Sequence, residues 1–551
     1  MDDKLTLWLS HMKSSFIDES YYIDQTDEEI NNCFTGALDF GTAGIRGEIG
    51  IGPNRLNEFT VRRIAHSVAR YLNDSNLHKT AVIMYDTRLF SEEFSNTIAT
   101  VLSSYQIHTF MFDTYHTTPE LSYAVRYLNA SIGFMITASH NPKEYNGIKV
   151  YNHTGGQILD EQAHSIKSIY DQLNEDELFN QSIEANESFI DVLTDEVSSS
   201  YDHEVVSQYH SMADFNVKTV FTSLHGTSLP RVKSILSTLN YDHLFVLEDQ
   251  STADGTFPNA TSLNPEDPNA FKDAIKYAQQ LNAHLVIATD PDSDRLGVVV
   301  YHKGTYRHLT GNQLGVILLK HIIDNTSHLE QRTVIKSIVT SDLAKVICKA
   351  HDVEIKDVLT GFKYIGECIE EISKDEQQNF IFGYEESHGY LTSSLARDKD
   401  AIQVIPMLIE LADTLNQEDK TLFDYLESIY REYSQSNEKL YSLTLHGLEG
   451  QKKIQELMNY YRQYPIKQIG GLEIVSKEDF MLQKQFDPNG QELGTLKLPQ
   501  ANVIKFHLKN GWIVIRPSGT EPKVKLYISI LGQCDEQLFS NIYDDLFGMI
   551  D

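Results

Sequence analysis

Short apolar runs rich in β-branched and aromatic residues alternate with longer stretches in which apolar positions recur every third and fourth residue. "TAVIMYD", "SIGFMIT", "VKTVFTS", "AHLVIATD", "VIKSIVTS" and "NFIFGYE" have the first pattern and predict buried strands. "FTVRRIAHSVARYLN", "PNAFKDAIKYAQQLN" and "SDLAKVICKAH" have the second and predict amphipathic helices. Strands separated by helices imply crossover units and largely parallel sheets, so the fold class is α/β. Polar stretches near 185–215 and 436–447 read as seams between domains. The tail changes character: "ANVIKFHLKNGWIVIRPSGTEPKVKLYISIL" reads as strand, Asn-Gly turn, strand, loop and strand, which predicts a separate α+β domain.

Length and composition narrow the class. At 551 residues the chain exceeds one hydrophobic core, and about 150 residues per domain gives three or four. The balance of 46 Lys and Arg against 78 Asp and Glu, a formal charge of −32, argues against a nucleic-acid surface. A small anionic substrate is still compatible, since a few local cations hold it inside an acidic shell. Cys33, Cys348, Cys368 and Cys534 form no C-x-x-C pair, which fits a reducing compartment rather than a disulfide framework or zinc site. The start lacks the apolar run of a signal peptide, and no stretch spans a bilayer. These features predict a cytoplasmic protein without membrane or nucleic-acid partners.

Three polar loops directly follow predicted strands: "TASHNP" (137–142), "TDPDSDR" (289–295) and "GYEESHG" (383–389). Sites in open α/β sheets lie beyond the carboxyl ends of strands, so three such loops could converge. In "DPDSDR", Asp290, Asp292 and Asp294 alternate, and a hard divalent cation would relieve their mutual repulsion. An EF-hand is excluded, because Arg295 stands where Gly is needed and Tyr301 where Glu is needed. Three protein oxygens leave positions open, which suits Mg²⁺ shared with a phosphate; the alternative is a solvated acidic turn.

Ser139 is not in a G-x-S-x-G elbow, and neighbouring side chains are not expected to face each other, which argues against a dyad with His140. It could cap a helix beginning near Pro142, or, beside a metal, accept a phosphoryl group. Lys149 in "NGIKV" is a candidate acid/base or phosphate-facing cation, with an ordinary surface lysine as the alternative. "RPSGTEPK" offers Arg516, Ser518, Gly519, Thr520 and Lys523, enough donors to cradle a phosphate. "GTAGIRG" carries Arg46 but lacks the GK[ST] of a P-loop. In "GYEESHG", Glu385 and Ser387 suit sugar hydroxyls.

Together, "GTAGIRG", "TASHNP", "DPDSDR", "TGFKYIG", "GYEESHG" and "RPSGTEPK", in that order along the chain, resemble the α-D-phosphohexomutases, which include phosphoglucomutases and phosphomannomutases. The resemblance implies three similar mixed or parallel-sheet α/β domains and a C-terminal α+β domain around a central cleft. The matching boundaries are 1–205 with the phosphoserine loop, 206–315 with the metal loop, 316–440 with the sugar loop and 441–551 with the phosphate loop. By carry-over, Ser139 is the phosphoserine and, with Asp290, Asp292 and Asp294, the Mg²⁺ site. Arg46, His140 and Lys149 match catalytic positions. Lys363, Glu385, Ser387, Arg295, Arg516, Ser518, Gly519 and Thr520 match substrate-binding ones. The implied activity is interconversion of glucose 1-phosphate and glucose 6-phosphate through glucose 1,6-bisphosphate, by a monomer or weak homo-oligomer. The "EESHG" form of the sugar loop resembles that of phosphoglucomutases, including longer ones related to phosphopentomutases, and the chain as a whole is most similar to bacterial members. Mannose or pentose phosphates are alternative substrates. A non-catalytic sugar-phosphate sensor is another reading, but it has no need of an acceptor serine.

Overall fold

The computed structural model describes residues 2–12, 15–17, 21–23, 25–41, 43–180, 183–445, 447–518 and 523–548. The chain forms two compact units, each built from discontinuous segments. The first holds Met1–Thr310, Ile365–Asp375 and Ser387–Thr421; the second holds Gly311–Tyr364, Glu376–Glu386 and Leu422–Asp551.

Two sheets carry the first unit. One is built from β1 (Gly44–Glu48), β2 (Thr80–Tyr85), β3 (His108–Phe112), β4 (Ile132–Ile136), β5 (Tyr145–Asn152) and β6 (Ile190–Leu193), in the order β1-β5-β4-β2-β3-β6. β4, β2, β3 and β6 are parallel, whereas β5 runs antiparallel to both β4 and β1. The other is built from β7 (Thr219–Thr222), β8 (Leu244–Val246), β9 (Leu285–Thr289), β10 (Leu296–His302) and β11 (Thr305–Leu309), in the order β11-β10-β9-β7-β8. The plan repeats: β9, β7 and β8 are parallel, and β10 returns antiparallel to β9. The central strands β4, β7 and β9 are buried along their whole length, which accounts for runs without polar alternation.

The helix Glu58–Asp74 starts where the Asn57 side chain accepts the Phe59 and Thr60 N–H groups, both at 3.1 Å. Its Ile64, Val68 and Leu72 share one core with Phe94 and Ile98 of the next helix and with Ile83 and Phe134 of the sheet. Burying each such side chain contributes about 1.5–3 kcal/mol relative to leaving it in water.

In the second unit β12 (Arg332–Ser337) pairs in parallel with both β13 (Glu354–Val358) and β14 (Asn379–Glu385). The C-terminal part is the predicted α+β layer. Strands Ser436–Thr444, Lys523–Leu531, Gly511–Pro517, Ile504–Leu508 and Leu472–Asp479 are neighbours in that order, all antiparallel. Helices Gly447–Gln463 and Glu536–Phe547 cover the sheet through Leu457, Met458, Ile542 and Leu546. The predicted Asn-Gly turn lies one residue early. Leu508 pairs with Gly511, so Lys509 and Asn510 are the turn residues and Gly511 begins the strand.

Candidate active site

"TASHNP" links β4 to β5, and no helix begins at Pro142. The capping alternative for Ser139 therefore falls away. Ser139 instead takes a left-handed backbone, φ 52°, a conformation that costs an L-residue about 1–2 kcal/mol. Its N–H donates to Thr137 Oγ1 at 2.8 Å, and its Oγ donates to Asp290 Oδ2 at 2.7 Å. The same Oγ lies 3.2 Å from His140 Nδ1. This corrects the expectation that the two neighbours look apart: extended or helical backbone separates adjacent side chains, but the left-handed turn at Ser139 brings them together.

Asp290, Asp292 and Asp294 sit between β9 and β10, all fully buried, with one carboxylate oxygen from each lying within 4.8 Å of the others. Asp290 Oδ1 accepts the Arg295 N–H at 2.9 Å. Asp292 Oδ2 accepts Thr118 Oγ1 at 2.7 Å and Lys149 Nζ at 2.6 Å. Asp294 Oδ2 accepts Lys149 Nζ at 2.8 Å and faces Lys399 Nζ at 3.2 Å. The second oxygens, Asp292 Oδ1 and Asp294 Oδ1, are buried without a hydrogen-bond partner. Asp294 Oδ1 faces Arg295 Nε at 4.0 Å, and two buried anionic oxygens without hydrogen bonds fit a cation with hard oxygen ligands, so this triad can hold a metal ion.

The local electrostatics follow from burial and this acid cluster. Burial, with Asp292 and Asp294 adding to it, pushes Asp290 well above the usual carboxylate range. Burial alone would also raise Asp294, but Lys149 and Lys399 outweigh it and hold Asp294 low. Burial alone would lower Lys149; Asp292 and Asp294 outweigh it and keep the ammonium protonated. Burial, then Arg295 and Arg46, push His140 well below its ordinary value, so the imidazole is neutral.

Arg46 stands on β1 opposite Gly147 of β5 and donates to Asn141 Oδ1 at 2.9 Å. A Cβ at Gly147 would meet the Ile45 carbonyl oxygen at 2.6 Å and that of Thr137 at 2.8 Å, so only glycine lets β1 and the serine loop approach. Arg295 pairs with Glu266 and donates to the Ser387 carbonyl at 3.2 Å. The first unit thus gathers Arg46, Ser139, His140, Lys149, the three aspartates, Arg295 and Ser387.

In the second unit Glu385 closes β14 and accepts the Gly361 N–H at 2.8 Å, and Lys363, two residues after Gly361, is buried. Ser337 and Thr340 hydroxyls donate to Glu386 at 3.0 and 3.3 Å. Arg516 and Ser518 stand at the hairpin joining Gly511–Pro517 to Lys523–Leu531, where the Ser518 N–H donates to the Lys523 carbonyl at 2.7 Å. Gly519 and Thr520 lie outside the described residues.

Three participants escaped sequence reasoning. Thr118 and Lys399 reach the triad from outside every quoted motif. Arg88 in "DTRLF" is buried and ties its guanidinium to the serine loop. Only the bare run of Lys and Asp in "RDKDA" hinted at Lys399.

Four family models match the chain: phosphoglucomutase/phosphomannomutase α/β/α domain I over residues 37–177, domain II over 187–304, domain III over 310–433 and the C-terminal domain over 474–530. A phosphoglucomutase of Staphylococcus epidermidis is 43% identical over 546 residues, spanning 98% of this chain and 99% of that protein. One of Staphylococcus aureus is 41% identical over 548 residues, spanning 99% and 98%. Among solved structures, a phosphoglucomutase/phosphomannomutase family protein from Burkholderia thailandensis superposes with a TM-score of 0.66 at 16% identity, covering 92% of this chain and 95% of that one. The open form of pp63/parafusin, a phosphoglucomutase from Paramecium, gives 0.64 at 18% identity, covering 93% and 94%. The structural likenesses concern the fold.

Proposed function

Since this chain belongs to the phosphoglucomutase/phosphomannomutase family and is a phosphohexomutase, we propose that it interconverts glucose 1-phosphate and glucose 6-phosphate with Ser139 as the phosphoryl carrier. The observation that carries this reading is Ser139 Oγ, 2.7 Å from Asp290, beside two buried carboxylate oxygens that lack partners. Asp290, Asp292 and Asp294, with a phosphate oxygen on Ser139, would hold Mg²⁺, whose role is to neutralise charge on the transferring group.

In the first half-reaction the P–Oγ bond of phospho-Ser139 breaks as a P–O bond to the free sugar hydroxyl forms. The product is bound glucose 1,6-bisphosphate. The proton that the sugar hydroxyl gives up balances the one that Ser139 Oγ takes as it leaves, and the freed Ser139 hydroxyl then donates to Asp290 Oδ2, with His140 Nδ1 beside it. Lys149 and Arg46 supply fixed positive charge. The sugar then turns over, and its other phosphate returns to Ser139. Glu385, Ser387, Lys363 and Arg295 hold the sugar, and Arg516, Ser518, Gly519 and Thr520 grip the phosphate that is not reacting. We place the domain boundaries near 205, 315 and 440. We take the enzyme to be cytoplasmic, a monomer or weak homo-oligomer that binds no nucleic acid; among the described residues no helix is long and apolar enough to cross a membrane.

Ser139→Ala tests the reading. It should stay folded, lose the phosphoryl group that mass spectrometry finds on wild-type Ser139, and drop kcat by roughly 10³-fold or more. A fully active Ser139→Ala would overturn the carrier. In the same assay glucose 1-phosphate should exceed the mannose, glucosamine and ribose 1-phosphates in kcat/KM; a faster mannose or ribose substrate would reassign the sugar.

A further inference from the structure

Arg88 is an arginine whose side chain is wholly shielded from solvent, outside every motif that marks the site. Its Nη1 donates to the carbonyls of Pro142 at 2.8 Å and Tyr145 at 2.9 Å, and its Nη2 to those of Ser139 at 2.6 Å and Asn141 at 2.5 Å. Three carbonyls of the serine loop and that of Tyr145, the first residue of β5, all on one guanidinium, hold this backbone against a single rigid plane. The plane is fixed in turn. Its Nε faces Asp86 Oδ2 at 3.5 Å, and Asp86 Oδ1 accepts the Arg88 N–H at 2.9 Å. The guanidinium carbon lies 5.2 Å from the centre of the Phe257 ring.

Phe257 belongs to the segment after β8, whose Asp254 N–H donates to the His225 carbonyl at 3.4 Å. The Thr87 hydroxyl donates to the His225 carbonyl at 2.9 Å, and two residues on, the Thr227 N–H donates to the Pro291 carbonyl at 2.9 Å. Gly226 lies so close to Pro291 that a Cβ there would sit 2.4 Å from the Pro291 Cα. Arg88 therefore holds the loop bearing Ser139, while its neighbour Thr87 meets the turn that packs on Pro291, between Asp290 and Asp292. The left-handed backbone at Ser139 is intrinsically unfavourable, and the Arg88 bond to the Ser139 carbonyl is one of the contacts that hold it.

We propose that Arg88 is the positioning residue that fixes Ser139 against the metal loop, setting the alignment of Oγ for phosphoryl transfer without touching substrate. The proposal rests on Ser139 as the phosphoryl carrier. A buried arginine with a purely structural role would affect stability alone. One that positions the serine would affect the chemical step and leave substrate binding intact, because misplacement of a reacting atom by about 1 Å costs on the order of 100-fold in rate. Lysine keeps the charge but cannot span four acceptors from a planar fork.

The test uses the full-length chain with Mg²⁺ and glucose 1,6-bisphosphate. Arg88→Lys, shown folded by its melting curve, should lower kcat by about 100-fold with KM for glucose 1-phosphate within about threefold of wild type. Arg88→Met should fall further, so that lysine recovers part of the loss. Phosphorylation of Ser139 by glucose 1,6-bisphosphate, followed by intact mass in a single turnover, should slow in parallel. Phe257→Leu keeps the guanidinium and its acceptors but removes the ring beneath it; it should show the same signature at about tenfold, and it decides the matter if Arg88→Lys does not fold. Wild-type kcat in folded Arg88→Lys or in folded Phe257→Leu, or a loss that appears in KM alone, would overturn the proposal. If Ser139→Ala is inactive while Arg88→Lys is unimpaired, this inference fails and the carrier assignment stands. A fully active Ser139→Ala would remove both.

Discussion

Asp292 divides its two oxygens between different tasks. Oδ2 is committed to Thr118 and Lys149, while Oδ1 is buried without a partner. A neutral amide at this position would keep the donor-facing side but lose the charge that a cation requires. Asp292→Asn should therefore need more than about tenfold higher Mg²⁺ for half-maximal rate, and chelation should abolish turnover in wild type until Mg²⁺ is returned. Metal-titrated kinetics check both; full rate in the chelated enzyme would refute the metal assignment. The aspartates were readable in sequence because their chemistry is contiguous, three acids within five positions. Ser139 was readable only as a set of alternatives until the neighbouring motifs narrowed them. Arg88 and Lys399 were not readable, since "DTR" and "RDKD" look like any solvated turn and gain meaning only from carbonyls and carboxylates far along the chain. The Ser139–His140 contact is hidden from the sequence for a related reason. Nothing in residue identity announces a positive φ at a serine.

At the scale of elements, a buried parallel strand ends, a polar turn follows, and the chain returns antiparallel beside it. β4 to β5 and β9 to β10 both do this. Ser139, Ser293 and His388, one in each of the three polar loops, all adopt positive φ, at 52°, 64° and 62°. The strand patterns foretold β4 and β9 but named neither β5 nor β10, the strands that return, and an apolar run alone does not fix the direction of pairing. The hairpin bearing Arg516 follows another logic: its two strands are held by an antiparallel backbone ladder, in which Arg516 stands opposite Lys525 and Pro517 opposite Val524. If the loop between them grips the idle phosphate, Arg516→Ala should raise KM and lower kcat, each by about tenfold, since remote binding energy also aligns the reacting end. Arg516→Lys should recover only part, for want of the bidentate fork, and Mg²⁺ dependence should stay as in wild type. Steady-state kinetics with a metal titration separate these outcomes; a loss confined to Mg²⁺ affinity would contradict the role.

Across the whole molecule, Glu120 links parts of the first unit that the sequence keeps far apart. It lies in the helix Thr118–Tyr127, accepts the Ser198 hydroxyl at 2.6 Å, and stands 3.1 Å from His116 and 3.9 Å from Arg231. Burial alone would raise its pKa, but His116, Arg231 and Ser198 outweigh it and take it from 4.5 down to about 2. A depressed folded-state value stabilises the fold above the unfolded value, and that stabilisation disappears as pH falls from 4.5 toward 2. Wild type should therefore melt well above Glu120→Gln at neutral pH, with the gap narrowing through that acid window in parallel thermal melts; a gap independent of pH would exclude the linkage. The first unit also closes late. Buried Tyr151 and Tyr201 donate to Asp398 and Asp400, residues of the returning segment Ser387–Thr421. On the ribosome, then, the unit that begins the chain cannot finish folding when residue 310 emerges. At roughly 5–20 residues per second the missing stretch takes about 5–20 s to appear, and in that interval both tyrosines lack their acceptors. Translation speed between 311 and 421 thus sets how long the nascent unit stays open to chaperones and to aggregation.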